Sequence, residues 1–508
     1  MNFFIPRRTQ NYNISSRIIC FLFILVTSAL GTEYTVKDAA QIKEAAQLSQ
    51  PGDKIVLQDG IWADQNILFR AQGTQDRPIT LCAQTPGKVI LTGNSTLQIL
   101  GRHLVVEGLC FKGSSTGPQT DTIAFGTSQQ EAASDCRLTR CAVIDYSPAD
   151  KGVSTQYVKI YGQRNRVDHC FFTGKANAAV TLMVSFAPGS SPNHHLIDHN
   201  HFGPRPPLGI NGGETIQIGW SGAQFVNSRT TVEYNYFEEC NGEHEVITNK
   251  SCENIYRYNT FVRCQGVLSL RVGNRCTVES NFFLGQNVPL SGGVHVFGED
   301  HRIINNYFSE LAGTRFSAAL SLMNGSAMVS VGQNRYEDAH DHPDGVPLHP
   351  PVKRVLVAFN TFVECKSFVD ICAVYEGFRK QSTIVPSDCV LANNIFSGAN
   401  AAAAIKYSNN SVNTVWLGNI MTGNTIDQPQ RDGIAMADLR LVASSNGLWR
   451  PAADCPAIGA ALGLYEFVRD DIEGHLRPAT KRDVGCDQHS TAPPQRQPLT
   501  PMDVGPGW

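Results

Sequence analysis

The sequence predicts an all-β chain wound as a right-handed parallel β-helix, a solenoid closed at its start by a short capping helix. Two observations predict it. First, an Asn-x-Phe signature recurs at Asn200-His201-Phe202, Asn235-Tyr236-Phe237, Asn259-Thr260-Phe261, Asn281-Phe282-Phe283, Asn306-Tyr307-Phe308, Asn360-Thr361-Phe362 and Asn394-Ile395-Phe396. Cys170-Phe171-Phe172 and Asn419-Ile420-Met421 are weaker copies. The closest copies lie 24, 22 and 25 residues apart, and the 54 residues from Asn306 to Asn360 make about two units. A period in this range marks a repeat architecture. Second, short β-rich runs such as Thr231–Tyr234 and Val355–Val357 precede most copies, and amphipathic helical stretches are nearly absent there. Leucine-rich repeats share the period, but their leucine spacing is missing. In a β-helix each coil contributes two or three short strands and the phenylalanines stack inside. The asparagines then sit at turns, where they tolerate left-handed backbone and bond to one another along the ladder.

Residues 1–31 read as a secretion signal. Arg7, Arg8 and Arg17 precede the apolar run Ile18–Val26, and Ala29 and Gly31 suit the small-residue positions of a cleavage site before Thr32. The run is too short to span a bilayer well, which disfavours the alternative of an anchor. A secreted or periplasmic protein is therefore expected. Asp38, with Gln41 three residues on, forms a capping-box pattern for a helix with Ile42, Ala45, Ala46 and Ser49 on one face. Pro51-Gly52 ends that helix, and Lys54–Leu57 reads as the first strand. The helix caps a solenoid end whose core and sheet edges would otherwise be open. One β-helix domain is expected over 32–490, followed by a Pro-rich tail, 491–508, lying along the surface. His340–Pro351, rich in His, Asp and Pro, reads as a solvated loop inserted between coils, with His340 and His342 as less favoured metal candidates.

Composition narrows the function. A net charge of -3 offers no global basic field for nucleic acid, so a polyanionic partner needs a local basic cleft. Fifteen cysteines include no C-x-x-C pair, which argues against a zinc site or a thioredoxin-type motif. Cys240, Cys252, Cys264 and Cys276 are each twelve apart, about half a coil. Cys240 is then expected to stack on Cys264, and Cys252 on Cys276. Free buried thiols are favoured, because in-register parallel neighbours have poor disulfide geometry.

The chemistry gathers between Asn211 and Asn281. Glu243 and Glu245 are two apart and, in a strand, project from one face. Asn211 lies 32 residues before Glu243, one coil plus an insertion such as Trp220–Ser228. Two carboxylates and an amide oxygen suit a hard cation, Ca²⁺; the plain alternative is an acidic solvent face. Lys250 is expected on the next face of the same coil, and Arg271, 21 residues later, about one coil on. Together they suit β-elimination on a uronic acid. A cation neutralises the uronate carboxylate, a base removes the C5 proton, and the departing O4 oxygen is stabilised. Lysine serves as that base in its neutral form, which Ca²⁺ and Arg271 favour by charge and the glutamates oppose. Arginine is a poor acid, so charge stabilisation of the leaving oxygen is the safer role for Arg271.

Asn211–Glu214, Glu238–Asn254, Asn259–Phe261, Leu270–Asn274 and Gly298–Phe308 resemble polysaccharide lyase family 6, which holds alginate lyases and chondroitinase B. The likeness runs from about Glu33 to Gln488, with Pro51–Asp53 and Asp483–Asp487 in support. The resemblance implies a parallel β-helix and a lyase that leaves 4,5-unsaturated uronate ends. It implies calcium ligands at Asn211, Glu243 and Glu245, a base at Lys250 and an acid at Arg271. Two positions depart from the pattern. Val272 stands where the family typically has His, and His295 where alginate-cleaving members typically carry Arg. A histidine is mostly neutral at neutral pH and weakens a contact to a substrate carboxylate, which puts the polymer in question. His244, His295 and His301 are the candidate substrate-binding residues, with Arg302 beside them; His301 equally suits a structural turn. The expected partner is an acidic polysaccharide, bound by a monomer, with no nucleic acid and no membrane. Two other readings stay open: a β-helix that grips acidic glycans without cleaving them, and a polygalacturonate hydrolase. The hydrolase needs an acid–base carboxylate pair, and no Asp-Asp pair lies in a central coil.

Overall fold

The computed structural model describes residues 31–508 apart from 114–119, 129, 187–191, 327, 330–345, 348, 375–381, 399–404, 408–410 and 424–431. The expected secretion signal, and His340 and His342 with most of their loop, lie outside the described residues. The chain winds into coils of three short strands, which stack into three parallel sheets of 14, 14 and 12 strands. In one coil, Thr231–Glu233, Tyr236–Glu238 and Glu245–Lys250 belong to the first, second and third sheets. The next coil lays Ile255–Arg257, Thr260–Val262 and Val267–Val272 beside them in parallel.

The repeat signature accounts for this winding. The phenylalanine of each Asn-x-Phe unit lies in a second-sheet strand, at its middle in all but the two-residue strand His201–Phe202, and points inward. Phe237, Phe261, Phe283 and Phe308 stack with ring centroids 4.6, 4.7 and 4.9 Å apart. Val232, Tyr256 and Val278 from the first sheet and Ile247, Leu268 and Leu270 from the third complete the core. Large aromatics contribute most to such a core because of the area each buries.

The asparagines form the expected ladder. Asn235 donates both its backbone N–H and its Nδ2 to Asn259 Oδ1, each at 3.0 Å, and Asn259 does the same to Asn281. The rungs continue through Asn306, Asn360 and Asn394 to Asn419. The left-handed backbone, however, is not on the asparagine. It falls on the preceding residue: Tyr234, Tyr258, Ser280, Asn305 and Phe359 have φ of 52, 56, 52, 56 and 57°. The outer residue of the turn takes the bend, leaving the amide aimed inward between rungs. Asn281→Ala orphans the backbone N–H of Asn259 and one of its two Nδ2 hydrogens, the other staying on Val232 O. At roughly 1–3 kcal/mol for each unsatisfied buried group, a loss of about 2–5 kcal/mol is expected in denaturant unfolding. A loss below about 0.5 kcal/mol, the level of an ordinary surface substitution, would show that the ladder carries no stability.

The capping helix spans Ala39–Leu48, with Asp38 accepting from Gln41 N at 2.8 Å and Ile42, Ala45 and Ala46 buried. One expectation is corrected. Lys54–Leu57 is the second strand, because Glu33–Val36 precedes the helix and pairs with it residue for residue. All fourteen described cysteines are free. Burial pushes the Cys264 and Cys276 thiols up, and their neighbours Cys240 and Cys252 push in the same direction.

The three outer faces differ. The first sheet carries rows of ion pairs such as Arg137–Asp168, Arg166–Asp198 and Arg257–Glu233. The second is covered by the C-terminal segment: Phe282, Tyr307 and Val363 pack with Leu448, Ile472 and Cys486, and Tyr236 and Val262 with Val504. The tail runs back along the solenoid until Trp508 Nε1 donates to Arg140 O at 3.0 Å. The third sheet presents a polar row, Gln217, Thr248, Ser269, His295 and Ser321, in continuous register. No described helix is long and apolar enough to cross a membrane.

Candidate active site

The third sheet brings the chemistry together through two irregularities. The strand Glu245–Lys250 slips register against Val267–Val272 between Glu245 and Ile247 and again between Asn249 and Lys250. Ile247 and Asn249 point into the core, so Thr248 and Lys250 point outward. Leu268 and Leu270 point inward on the next strand, leaving Ser269 and Arg271 outward. Lys250 thus shares a strand with Glu245 rather than turning onto the next face, and it pairs with Val272, next to Arg271. Asn249 fastens the strand ends beneath the two cations. Its Nδ2 donates to Val272 O at 2.8 Å, and its Oδ1 accepts from Tyr256 Oη at 2.7 Å. Lys250 Nζ lies 3.5 Å from Gln217 Oε1, and Arg271 Nε lies 4.0 Å from Glu245 Oε1 with its guanidinium over the Phe297 ring.

The carboxylates converge, though not as strand neighbours. Glu245 opens the strand, while Glu243 sits in the turn before it. Glu243 Oε2 accepts from Gly212 N at 3.1 Å and Gly213 N at 3.3 Å. Only glycine allows this cradle: Gly212 has φ of 101°, and a Cβ on Gly213 would meet the Gly242 carbonyl carbon at 2.4 Å. The third carboxylate is Glu214, which ends the Asn211–Glu214 stretch and has no role on sequence grounds. Ile216 pairs with Ile247, and two residues back along that register Glu214 faces Glu245. Glu214, Glu243 and Glu245 offer oxygens within 4.8 Å of one another. Asn211 is exposed, on the wall of a cavity of about 500 Å³ shared with Glu243, His244 and Phe316.

A second unassigned residue holds this loop from behind. Arg205 is buried and donates to Gly212 O at 3.1 Å, to Ala179 O at 2.9 Å and to Glu214 O. Nothing local in the sequence marks it, because all its partners but the Thr181 hydroxyl are backbone carbonyls.

The electrostatics are those of a cation site. Burial pushes Glu214 up to about 7 and Glu243 adds to it; burial followed by Glu245 likewise raises Glu243. Burial also pulls Glu245 upward, but Arg271, His295, Lys250 and His244 together outweigh it and hold that carboxyl below the usual range. Glu214 Oε2 is buried with no hydrogen-bond partner among the described residues. Clustered oxygen donors, an orphaned buried oxygen and mutual repulsion together fit a hard divalent cation.

The histidines separate. His244 is half-buried in the cavity wall, its ring edge-on to Phe316 at 5.5 Å. His295 lies in the floor, Nδ1 3.4 Å from Ser269 Oγ, and burial lowers it to about 3 against the pull of Glu245, so it is neutral. His301 is not a cleft residue. It is fully buried, its Nδ1 accepts from Cys276 N at 3.1 Å, and its Nε2 faces Phe297 O at 2.9 Å. It is a turn rung, as is His195, whose Nδ1 accepts from Asn165 N. Arg302 is exposed on the first sheet, over the Phe467 ring, away from the cleft.

A sequence profile of the chondroitinase B family matches residues 36–464. No curated protein matches the chain. Among solved structures, the family 6 alginate lyase AlyGC is 36% identical with a TM-score of 0.75, over 83% of this chain and 56% of that one. A mannuronic acid specific family 6 lyase from the human gut microbiota is 28% identical, TM-score 0.69, over 80% of this chain and 91% of its own. A family 6 polysaccharide lyase from Pseudopedobacter saltans is 25% identical, TM-score 0.68, over 94% and 99%. This chain therefore spans little more than half the length of AlyGC and nearly the whole of the other two.

Proposed function

This chain belongs to the chondroitinase B family, polysaccharide lyase family 6, and on that premise we propose that it cleaves a uronate polymer, alginate-like before dermatan-like, by calcium-assisted β-elimination. The observation that carries the reading is the placement of three converging carboxylates beside outward-facing Lys250 and Arg271 on the polar face of the third sheet. Glu214, Glu243 and Glu245, with the Asn211 amide at the cavity wall, would hold the cation, whose chemistry there is to neutralise the uronate carboxylate and acidify C5. Lys250, in its neutral form, takes the C5 proton. The electron pair left at C5 becomes the C4–C5 double bond, the C4–O4 bond breaks, and O4 departs with its electrons. Arg271, fixed between Glu245 and Phe297, donates toward the leaving oxygen and stabilises its charge. His295 offers the substrate a neutral hydrogen-bonding ring, and His244 borders the sugar cavity. An export signal over 1–31 suits an enzyme whose polymer lies outside the cell.

Incubation with alginate, dermatan and pectin while following ultraviolet absorbance tests the reaction, because the new double bond conjugates with the carboxylate. A rise on alginate that chelator suppresses is expected. No rise on any uronate polymer, with calcium present and the fold verified, removes the proposal; glycan binding without absorbance would then establish a non-catalytic module.

A further inference from the structure

The C-terminal strap carries a second cluster, against the second sheet rather than the third. Asp471, His475 and Asp487 are buried and offer ligand atoms within 4.8 Å of one another. Asp471 organises the tight turn that contains the first two. Its Oδ1 accepts from Glu473 N at 2.9 Å and His475 N at 2.8 Å, and its Oδ2 accepts from Gln488 N at 2.9 Å. Asp487 follows Cys486, whose backbone N–H is tied to Thr361 Oγ1 of the second sheet at 2.9 Å.

The histidine indicates what the cluster is for. His475 is 8% exposed, and its Nε2 lies 3.1 Å from Pro493 O. A carbonyl only accepts, so Nε2 carries a proton, and the other ring nitrogen, Nδ1, turns to the acids. That atom is buried and makes no hydrogen bond among the described residues. It is aimed at Asp471 Oδ2, 3.4 Å away, and Glu473 Oε2, 3.9 Å away. That geometry calls for a positive charge between Nδ1 and the carboxylate oxygens, either a second ring proton or a metal ion. Metal-bound histidines characteristically donate their other ring N–H to a carbonyl or carboxylate, as His475 does. Arg450 pairs with Glu473, Arg477 lies near Asp471, Asp483 and Asp487, and Arg496 donates to the Asp471 and Ile472 carbonyls, so no arginine enters the space between Asp471, His475 and Asp487 that the three ligand atoms enclose.

We propose that Asp471, His475 and Asp487 form a divalent transition-metal site, of the zinc type, that pins the C-terminal strap to the solenoid. One imidazole nitrogen and two carboxylates are a zinc-type donor set, whereas calcium takes oxygen alone. The site is thereby distinguished from the three-glutamate cluster, and it does not depend on the lyase reading.

The full chain, stripped with chelator and returned to saturating calcium, is titrated with zinc chloride by calorimetry, and its bound metal is counted by elemental analysis. One zinc per chain is expected, retained in Glu243→Gln and weakened at least about tenfold in His475→Gln. Equal zinc binding by His475→Gln and the parent, or none by either, overturns the proposal and leaves His475 as an imidazolium between Asp471 and Glu473. Should His475→Gln fail to fold, cobalt(II) bound to the parent protein decides. Intense visible bands of a low-coordinate nitrogen–oxygen site support the proposal, and the spectrum of the hydrated ion alone overturns it.

Discussion

Lys250→Ala is expected to lower kcat on the susceptible uronate polymer by about 10²–10⁴-fold, the usual contribution of a positioned general base, with KM little changed. Lys250 is half-buried at the outer end of its strand, and its long contact to Gln217 supports no core packing. The substitution should therefore leave unfolding unaltered, and the loss can be read as chemistry. Initial rates of absorbance change, with melting curves recorded in parallel, make the measurement. Partial rescue by a small exogenous amine is expected, since an amine diffusing into the vacated space can accept the C5 proton. Activity within about tenfold of the parent, well under the contribution of a base, would remove Lys250 from that role. Rescue by guanidine but not by amines would point instead to a missing charge.

Glu214→Gln is the second large effect, and it should move activity and metal-free stability in opposite directions. Glu214 is buried among three carboxylates crowded within 4.8 Å, and its Oε2 has no partner among the described residues. Burial and Glu243 hold its carboxyl up at about 7, above the 4.5 of an unperturbed group. A group raised on folding contributes stability that is fully present below the unfolded value and is lost as pH rises through the folded one. Without a cation, Glu214 therefore works against folding at neutral pH and less so as the medium is acidified. A neutral glutamine of the same shape removes that burden. In chelator, Glu214→Gln should melt no lower than the parent, with a flatter pH dependence between about 4.5 and 7. With calcium, its turnover should fall by about 10²–10³-fold, the scale seen when one electrostatic stabiliser is lost from an active site. Full activity at ordinary calcium, or a metal-free melting point well below the parent, would show that Glu214 does not belong to the cation site.

These two residues also mark how far the sequence could be read. Lys250 was legible because it stands in a dense local block with Glu243 and Glu245, and because Arg271 lies about one coil later. Glu214 was not legible, because placing it beside Glu245 requires the register Ile216–Ile247. That register spans a coil lengthened by the segment containing the short helix Ser221–Ala223, so residue counting alone could not supply it. Arg205 was illegible for a related reason: it acts on backbone carbonyls that only the folded turn assembles. His301 suits either a cleft or a turn in the sequence because a histidine Nδ1 and an asparagine Oδ1 accept the equivalent backbone N–H. A buried turn rung and a substrate-facing ring therefore look alike in one dimension.

The winding itself was set by composition and period. A parallel stack repeats the same environment at every rung, so Asn and Phe must recur wherever the turn and the core recur, and the recurrence is visible without coordinates. The site lacks that redundancy. It depends on two register slips around Glu245–Lys250, a glycine cradle at Gly212 and Gly213, and a face that the C-terminal strap leaves free while covering its neighbour. Each brings together residues tens of positions apart with no repeated signature, so their convergence becomes physical only when the coils are stacked.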